Sequence, residues 1–292
     1  MAEFRPDVIH SHNLPDRLTV LAVDVVGGTV PIVHDVHDLQ SLRRTPYEDG
    51  FPEPADPLLL EKKAVTEADA VVVVSDEMGA EIDARYGRPG RVELFANYAL
   101  RRDMPAALPP ADRRRPGPPR VVYQGTLSTN GGHYDLRDLF VAIVRGGAGL
   151  DVYPARPAPG YESLADETPG VTVHRMLPPA QLLEVLPEYD FGWAGFNASV
   201  NRAHLDTALP NKVFEYVACG LPVLTLDHRA LGRFVAGEGV GVVLATLEDL
   251  AGQLAELDTV ALRTRTASVR ERFTVEANIG RILRLYDEVT AR

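Results

Sequence analysis

The sequence is poor in cysteine, in positive charge and in long apolar runs. Cys219 is the single cysteine, which excludes an internal disulfide framework and a cysteine-rich zinc site. Lysine and arginine total 30 against 41 aspartates and glutamates, so a nucleic-acid partner is not expected. No apolar run approaches the roughly 20 residues of a membrane span, and the polar start predicts no secretory leader. We expect a cytoplasmic protein, with peripheral association at a membrane as an open alternative.

The remaining composition is that of a globular protein large enough for two domains. The 292 residues are 45% hydrophobic and 24% charged. Short apolar strands alternate with amphipathic helices in both halves, a pattern typical of parallel sheets. A proline-rich segment over 108–119, with Arg113, Arg114 and Arg115, predicts a solvated linker between domains at 1–107 and 120–274. The last residues, 275–292, are predicted to form a helix.

The most informative stretch runs from Asn211 to Val223. It predicts a helix that begins after Pro210, ends at Gly220 in a left-handed conformation, and is followed by a buried strand. Such a helix begins at the carboxyl edge of a sheet, where α/β proteins bind ligands. Its N–H groups and Lys212 suit a phosphate, and Glu215, one turn later, suits ribose hydroxyls. The alternative is that both charges lie on a solvated helix face.

The same run, Pro-Asn-Lys-Val-Phe-Glu-Tyr-Val-Ala-Cys-Gly-Leu-Pro-Val, resembles the donor-binding segment of bacterial glycosyltransferases with the GT-B fold. This resemblance covers the chain from about Pro6 to its end. It implies two Rossmann-like, doubly wound α/β domains, of which the first is incomplete, and a C-terminal helix that packs back on the first domain. It also implies that Glu215 holds the donor ribose. Thr207 stands where many relatives carry a glutamate near the transferred sugar.

A glycine-rich turn, 125–133, follows the first strand of the second half and precedes a helix. Glycines in this position let backbone N–H groups approach a pyrophosphate, although a tight turn without a ligand explains them equally well. Relatives usually carry arginine or lysine in this loop, and this chain does not. The loop 197–210 is also long for an α/β unit, which indicates either a donor loop or a surface insertion. The predicted donor-binding residues are Gly125, Thr126, Gly131, Gly132, Asn211, Lys212, Glu215 and Tyr216.

Histidines cluster near the ends of two strands in the first half. Alternation along a strand sends His34 and His37 to opposite faces, so no metal site is assigned. The resemblance implies that His37 faces the donor and acceptor, with His12 as a neighbour on the acceptor side. A neutral histidine there would donate a hydrogen bond to the sugar or accept a proton from the acceptor. A structural histidine is the competing interpretation of His37.

The resemblance thus predicts transfer of a sugar from a nucleotide sugar, with a UDP- or GDP-sugar expected and no further cofactor. The reaction is expected to be metal-independent and retaining, and the acceptor to be a glycan, a lipid-linked sugar or a small molecule. The alternatives are a non-catalytic or split-enzyme subunit and, less favoured, a nucleotide-sugar epimerase. The first domain offers only about four strands, so a homo-oligomer or a partner chain is expected to cover its open edge.

Overall fold

The computed structural model describes residues 5–13, 16–44, 56–87, 90–113, 115–198 and 200–291. A stretch rich in proline, glycine and acidic residues from about 41 to 56 predicts a loop, and Gly87 with Pro89 predicts the end of a helix. Most of that loop, Pro89 and the linker residue Arg114 lie outside the described ranges. The chain divides into two compact units. The first unit is Met1–Asn97, Ala203–Leu209 and Asn278–Arg292, and the second is Tyr98–Arg202 and Pro210–Ala277.

The strands, in chain order, are β1 (Ile9–His12), β2 (Ile32–Val36), β3 (Ala70–Val73), β4 (Val92–Leu94), β5 (Arg120–Gly125), β6 (Gly149–Pro154), β7 (Val171–Val173), β8 (Phe191–Trp193), β9 (Val223–Leu226) and β10 (Gly241–Leu244). The α-helices are α1 (Arg17–Val26), α2 (Pro57–Glu67), α3 (Asp76–Tyr86), α4 (Arg137–Arg145), α5 (Pro159–Glu167), α6 (Pro179–Val185), α7 (Arg202–Leu205), α8 (Asn211–Ala218), α9 (Arg229–Glu238), α10 (Leu250–Ala255), α11 (Thr259–Val269), α12 (Val275–Asn278) and α13 (Gly280–Thr290).

The first unit contains a parallel sheet in the order β1-β2-β3-β4. Strand β3 is buried along its whole length, as expected of an apolar valine run covered on both faces. On one face, Val33 and Val72 pack against α13 through Ile282 and its neighbours. On the other face, Val71 and Val73 pack with α2 and α3. The C-terminal helix therefore belongs to the core of the first unit.

Two side chains anchor the segment 203–209 in the first unit. Ser75, followed by Asp76 and Glu77, predicts a helix N-cap. It is the N-cap of α3, where its Oγ accepts a hydrogen bond from Met78 N. The same hydroxyl donates to Thr207 O at 2.7 Å. Asn97 Nδ2 donates to Leu209 O at 3.0 Å. The second half of the predicted 197–210 donor loop is therefore part of the first unit.

The second unit contains a six-stranded parallel sheet in the order β10-β9-β8-β5-β6-β7. From β5 the chain winds through β6 and β7 on one side and through β8, β9 and β10 on the other. The carboxyl ends of β5 and β8 therefore form the point where the strand order reverses, which is the usual ligand position in such sheets. These two parallel-sheet units confirm the predicted fold class.

Helix α8 packs on β5 and β8 through Tyr216, which is fully buried. The Tyr216 hydroxyl accepts a hydrogen bond from Gln124 N at 3.2 Å and lies 3.2 Å from Trp193 O. The helix ends at Cys219 and Gly220, and Gly220 has the predicted left-handed conformation with a φ of +63°. The predicted helix and its C-terminal stop are confirmed, and β9 follows.

The start of α10 differs from the sequence-based expectation. Thr246 and Asp249 predict a capping-box-like start at Thr246, but the helix begins at Leu250 with Asp249 as its N-cap. Asp249 adopts a φ of +44°, and its side chain accepts a hydrogen bond from Gly252 N. The Thr246 hydroxyl accepts from Glu248 N within the preceding turn instead. The predicted cap at Thr246 is wrong because the carboxylate of Asp249, three residues later, accepts the hydrogen bond from the free N–H of Gly252 in the first turn.

The proline-rich segment predicted as a linker lies within the second unit. Arg113 Nη1 and Arg115 Nη2 lie 2.8 and 2.5 Å from Glu188 Oε2, and Arg113 Nη2 donates to Pro187 O at 2.9 Å. These contacts fix the segment against the start of β8. Among the described residues, no helix combines the length and the apolar character that crossing a membrane requires.

The packing of Tyr216 predicts a specific cost for Gly192→Ala. A Cβ at Gly192 would lie 2.5 Å from Tyr216 Cδ2, and the ring cannot withdraw without breaking the hydrogen bonds of its hydroxyl. We expect a loss of about 1–3 kcal/mol in the free energy of unfolding, measured by chemical denaturation. Gly237→Ala is the matched control because it introduces a Cβ into open space on α9. Equal midpoints for both variants would contradict this packing.

Candidate functional site

Lys212 lies at the carboxyl edge of the second sheet, in the first turn of α8. Only 6% of the residue is exposed. Its Nζ lies 4.6 Å from the centroid of the Tyr123 ring, 5.0 Å from that of the Phe196 ring and 3.5 Å from the Tyr123 hydroxyl. Tyr123 lies on β5 and Phe196 follows β8, so the cation occupies the point where the strand order reverses.

Burial lowers the pKa of Lys212 to about 8, and Glu215 acts in the opposite direction. The side chain is therefore still largely protonated at neutral pH, although it is held among aromatic rings. Cation–π contacts return only part of the hydration energy lost on burial. A ligand that brings negative charge to Nζ would consequently be stabilised more strongly here than at an exposed lysine.

Glu215 lies one turn further along α8 and is half-buried. Its Oε2 accepts a hydrogen bond from Gln124 Nε2 at the end of β5. Burial raises the pKa of Glu215, while the Gln124 hydrogen bond and the Lys212 charge lower it. A carboxylate has about four lone-pair positions, so Glu215 retains capacity to accept hydrogen bonds from two adjacent hydroxyls of a ligand.

The first residues of the glycine-rich turn lie beside Lys212. Gly125 has a φ of +134°, and a Cβ there would lie 3.4 Å from Lys212 Cε and 3.6 Å from Nζ. Glycine therefore supplies the backbone conformation and leaves space next to the ammonium group. The Tyr123 hydroxyl donates to Thr126 O at 2.6 Å and fixes the direction in which the turn leaves the strand.

The backbone N–H groups later in the turn donate hydrogen bonds to side chains of the protein. Gly131 N donates to Asp135 Oδ2 at 3.0 Å, and Gly132 N donates to Asn130 Oδ1 at 2.9 Å. The Arg137 hydrogen bond lowers the pKa of Asp135, so this acceptor is a carboxylate at neutral pH. The two amides predicted to contact phosphate are therefore directed at oxygen atoms of the protein in this structure.

The segment that follows β8 is fastened to the glycine-rich turn. Asn197 N donates to His133 O at 3.2 Å, and its Nδ2 donates to Asp135 O at 3.1 Å. Asn201 Nδ2 lies 3.1 Å from His133 Nδ1. The first part of the predicted donor loop thus packs on the turn, within the second unit.

Two of the other predicted positions have different environments. Asn211 is exposed at the first position of α8, where a side-chain amide is open to a ligand. Tyr216 is fully buried, so it can position α8 but offers no surface for contact with a ligand. Thr207 is buried in the first unit, and its hydroxyl donates to His204 O.

The sequence-based reasoning did not identify Gln124, Tyr123 or Phe196 as site residues. Gln124 is the polar residue that ends the apolar run of β5, and this change from apolar to polar is the signal that would have pointed to it. Tyr123 and Phe196 resemble ordinary sheet residues. Their role emerges only when α8 places Lys212 against their rings.

His12 and His37 meet in the first unit, at the carboxyl ends of β1 and β2. His12 Nδ1 lies 3.2 Å from His37 Nε2 and 3.1 Å from Asp35 Oδ2. Burial and the neighbouring histidines lower the pKa of His12, against the opposing effect of Asp35. His34 contacts Thr19 instead, with 2.8 Å between Nδ1 and Oγ1. His34 and His37 thus have separate environments, as strand alternation predicts. The sequence did not predict that Asp35 would lie next to both His12 and His37.

Two family models match the chain. The Glycosyl transferase 4-like domain matches residues 1–98, and the Glucosyltransferase 3-like, C-terminal domain matches residues 143–276. Sucrose-phosphate synthase from Thermosynechococcus elongatus has a similar structure, with a TM-score of 0.72 at 19% identity over 98% of this chain and 74% of that protein. Anabaena Alr3699/HepE in complex with UDP-glucose has a TM-score of 0.67 at 13% identity, over 96% and 79%. Together the two family models cover most of the chain, and the chain has the GT-B fold of glycosyltransferases.

Two curated relatives are D-inositol 3-phosphate glycosyltransferases. The protein of Gordonia bronchialis is 26% identical, over 96% of this chain and 65% of its own length. That of Saccharomonospora viridis is 28% identical, over 98% and 70%. The chain spans about two thirds of the length of these curated relatives.

The desolvated position of Lys212 predicts an unusual titration. The sequence contains three lysines, Lys62, Lys63 and Lys212, so ¹³Cε-lysine labelling gives a simple NMR spectrum that Lys212→Arg assigns. We expect the Lys212 signal to titrate near pH 8. Lys63, whose hydrogen bond with Asp24 raises its pKa, is the internal control. A Lys212 signal that titrates near the ordinary value of 10.5 would contradict the buried placement.

Proposed function

We propose that this chain is a nucleotide-sugar-dependent glycosyltransferase that binds its donor at Lys212 and Glu215. One observation carries the proposal: a buried cation and a half-buried carboxylate lie one helical turn apart where the strand order of the second sheet reverses. A nucleoside diphosphate matches this pair because it presents anionic phosphates and a pair of ribose hydroxyls. Family membership supplies the reaction class, and the site supplies the mode of donor binding.

In the proposed complex, Lys212 Nζ and the N–H groups at the start of α8 contact the diphosphate. Both carry positive charge toward the carboxyl edge of the sheet. The same groups would stabilise the negative charge of the departing diphosphate during transfer. We therefore propose transfer without a metal ion at the donor phosphates. Retention of the anomeric configuration is proposed from the family resemblance.

Glu215 would accept hydrogen bonds from the donor ribose, while Gln124 holds the carboxylate in place. The Gln124 hydrogen bond orients Glu215 before the donor arrives, so little side-chain entropy remains to be lost on binding. Gly125 and Thr126 would line the phosphate side of the site, and Asn211 would contact the donor at the first position of α8. The proposed nucleotide is UDP or GDP, and UDP is tested first because the Anabaena neighbour holds UDP-glucose.

His37 is proposed as the group that contacts the transferred sugar or the acceptor hydroxyl, and His12 as its neighbour on the acceptor side. Their mutual contact at 3.2 Å and their partly exposed rings are compatible with such a role. The acceptor class proposed is a glycan, a lipid-linked sugar or a small molecule. Since the curated relatives are named for D-inositol 3-phosphate, a phosphorylated polyol is the small molecule to be tested first.

One observation favours a second candidate function. The N–H groups of Gly131 and Gly132 are engaged by Asp135 and Asn130, and the turn provides no arginine or lysine for the phosphates. A chain with this turn would suit a non-catalytic or split-enzyme subunit, in which a partner chain or a second copy completes the active site. Such a subunit would bind a nucleotide weakly or only within the assembly.

The donor site predicts a specific effect of Glu215→Ala on nucleotide affinity. Hydrogen bonds to a charged group contribute about 1.5–3 kcal/mol each, so loss of one weakens binding at least about 10-fold. We expect isothermal titration calorimetry with UDP, GDP, dTDP and ADP to show this loss for the nucleotide that binds. Glu256→Ala, which removes an exposed carboxylate elsewhere in the second unit, should leave affinity unchanged.

The outcomes separate the two candidate functions. Binding that Glu215→Ala weakens, together with hydrolysis or transfer of the matching nucleotide sugar, supports the enzyme. Binding without turnover supports the non-catalytic or split subunit. If folded wild-type protein binds none of the four nucleotides, the donor site proposed for this chain is wrong.

A further inference from the structure

Three potential metal ligands, His10, His12 and Asp35, converge in the first unit on one face of β1 and β2, and His37 lies beside them. His10 and His12 are two residues apart on β1, so their side chains share a face, and Asp35 and His37 are related in the same way. The strands are parallel, and His12 lies opposite Asp35 in their register. The three histidines therefore surround one carboxylate.

The spacing of the three donor atoms is compatible with three positions of a tetrahedral site. His10 Nε2, His12 Nδ1 and the Asp35 carboxylate all lie within 4.8 Å of one another. The two histidine nitrogens are 3.3 and 3.1 Å from Asp35 Oδ2. His37 Nε2 is 3.2 Å from His12 Nδ1 and 3.7 Å from Asp35 Oδ1. Ligand bonds of about 2.0–2.1 Å to tetrahedral zinc separate neighbouring donor atoms by about 3.3–3.4 Å, close to the distances of the His10 and His12 nitrogens from Asp35 Oδ2.

Outer contacts fix the orientation of these ligands. His10 Nδ1 lies 2.6 Å from the Tyr286 hydroxyl on α13. With Nδ1 protonated and donating to this oxygen, the lone pair of His10 is on Nε2, the atom that faces Asp35. Histidines that bind metals commonly make such a second hydrogen bond through their other ring nitrogen.

Asn13 holds the two strand ends together beneath the cluster. Its backbone N donates to Asp35 O at 3.0 Å, and its Oδ1 accepts from His37 N at 2.9 Å. Its Nδ2 donates to Asp38 O at 2.7 Å. These hydrogen bonds hold the ends of β1 and β2 at a fixed separation, so the spacing of the proposed ligands does not depend on a bound ion.

We propose that His10, His12 and Asp35 bind a divalent transition-metal ion, with Zn²⁺ as the ion to test first. Two imidazole nitrogens and one carboxylate, with a fourth position open to water, form a donor set that suits zinc and its neighbours better than Mg²⁺ or Ca²⁺. The His12 and His37 side chains are 59% and 39% exposed, so an ion can reach the site from solvent. The proposed metal ligands belong to the first unit, whereas the donor phosphates are proposed to bind residues of the second unit without a metal ion. The metal site goes beyond the proposed function, and its test requires no turnover.

Cobalt provides the spectroscopic test because tetrahedral Co²⁺ absorbs visible light strongly whereas hydrated Co²⁺ does so weakly. Untagged full-length protein is freed of metal with a chelator and titrated with Co²⁺. We expect a visible band that saturates at one equivalent and disappears when one equivalent of Zn²⁺ is added. Bound zinc is then counted by elemental analysis after buffer exchange.

Two variants and one control test whether the ion binds at this cluster. His12→Ala should abolish the band while leaving the fold intact, because this side chain is exposed. Tyr286→Phe removes only the outer hydrogen-bond partner and should weaken binding by about 10–100-fold. His174→Ala is the matched control, since His174 also pairs with an aspartate, Asp151, at 2.6 Å in the second unit. It should bind like the wild type.

The opposite results would overturn the proposal. Wild-type protein that shows neither a cobalt band nor retained zinc has only a hydrogen-bonded histidine–aspartate network at this position. A band that persists in His12→Ala would come from ligands elsewhere in the chain. Circular dichroism of each metal-free variant distinguishes loss of a ligand from loss of the fold.

Discussion

The architecture of the second unit depends on how Tyr216 joins α8 to the sheet. The ring lies over Gly192, where any side chain would collide with it, and the hydroxyl contacts backbone atoms of β5 and of β8. This places the first turn of α8 at the point where the strand order reverses. Lys212 and Glu215 reach Tyr123 and Gln124 because of that placement. A residue without an exposed surface therefore determines the geometry of the proposed donor site.

The site keeps two charged groups in surroundings that disfavour charge. Burial lowers the pKa of Lys212 and raises that of Glu215, and each group partly offsets the effect of burial on the other. A buried charge is costly unless it is paired, which explains why such groups are usually found where a ligand completes the pairing. The first unit shows a related arrangement, with three histidines around Asp35. Both sites lie at the carboxyl ends of parallel strands.

Local sequence signals predicted the elements that depend on local physics. The helix after Pro210, its stop at Gly220 and the cap at Ser75 follow from residues that are adjacent in the chain. Features that depend on strand register or on contacts distant in sequence could not be predicted in this way. The convergence of Asp35 with His10 requires the pairing of β1 with β2. The hydrogen bond from Gly131 N to Asp135 Oδ2 depends on how the glycine-rich turn folds back toward the start of α4. Glu215 and Lys212 were predicted as candidate site residues, whereas Gln124, which donates a hydrogen bond to Glu215, was not.

The central claim is that the buried Lys212 ammonium is the phosphate-binding group of a nucleotide donor site. The most direct test is the titration of the Lys212 ¹³Cε signal with and without saturating UDP, or with the nucleotide that calorimetry identifies. A diphosphate next to Nζ favours the charged form, so the pKa of Lys212 should rise from about 8 toward or beyond its ordinary value. The Lys63 signal should not move. If the bound nucleotide leaves the Lys212 titration unchanged, the phosphates bind elsewhere and the account of the site is wrong.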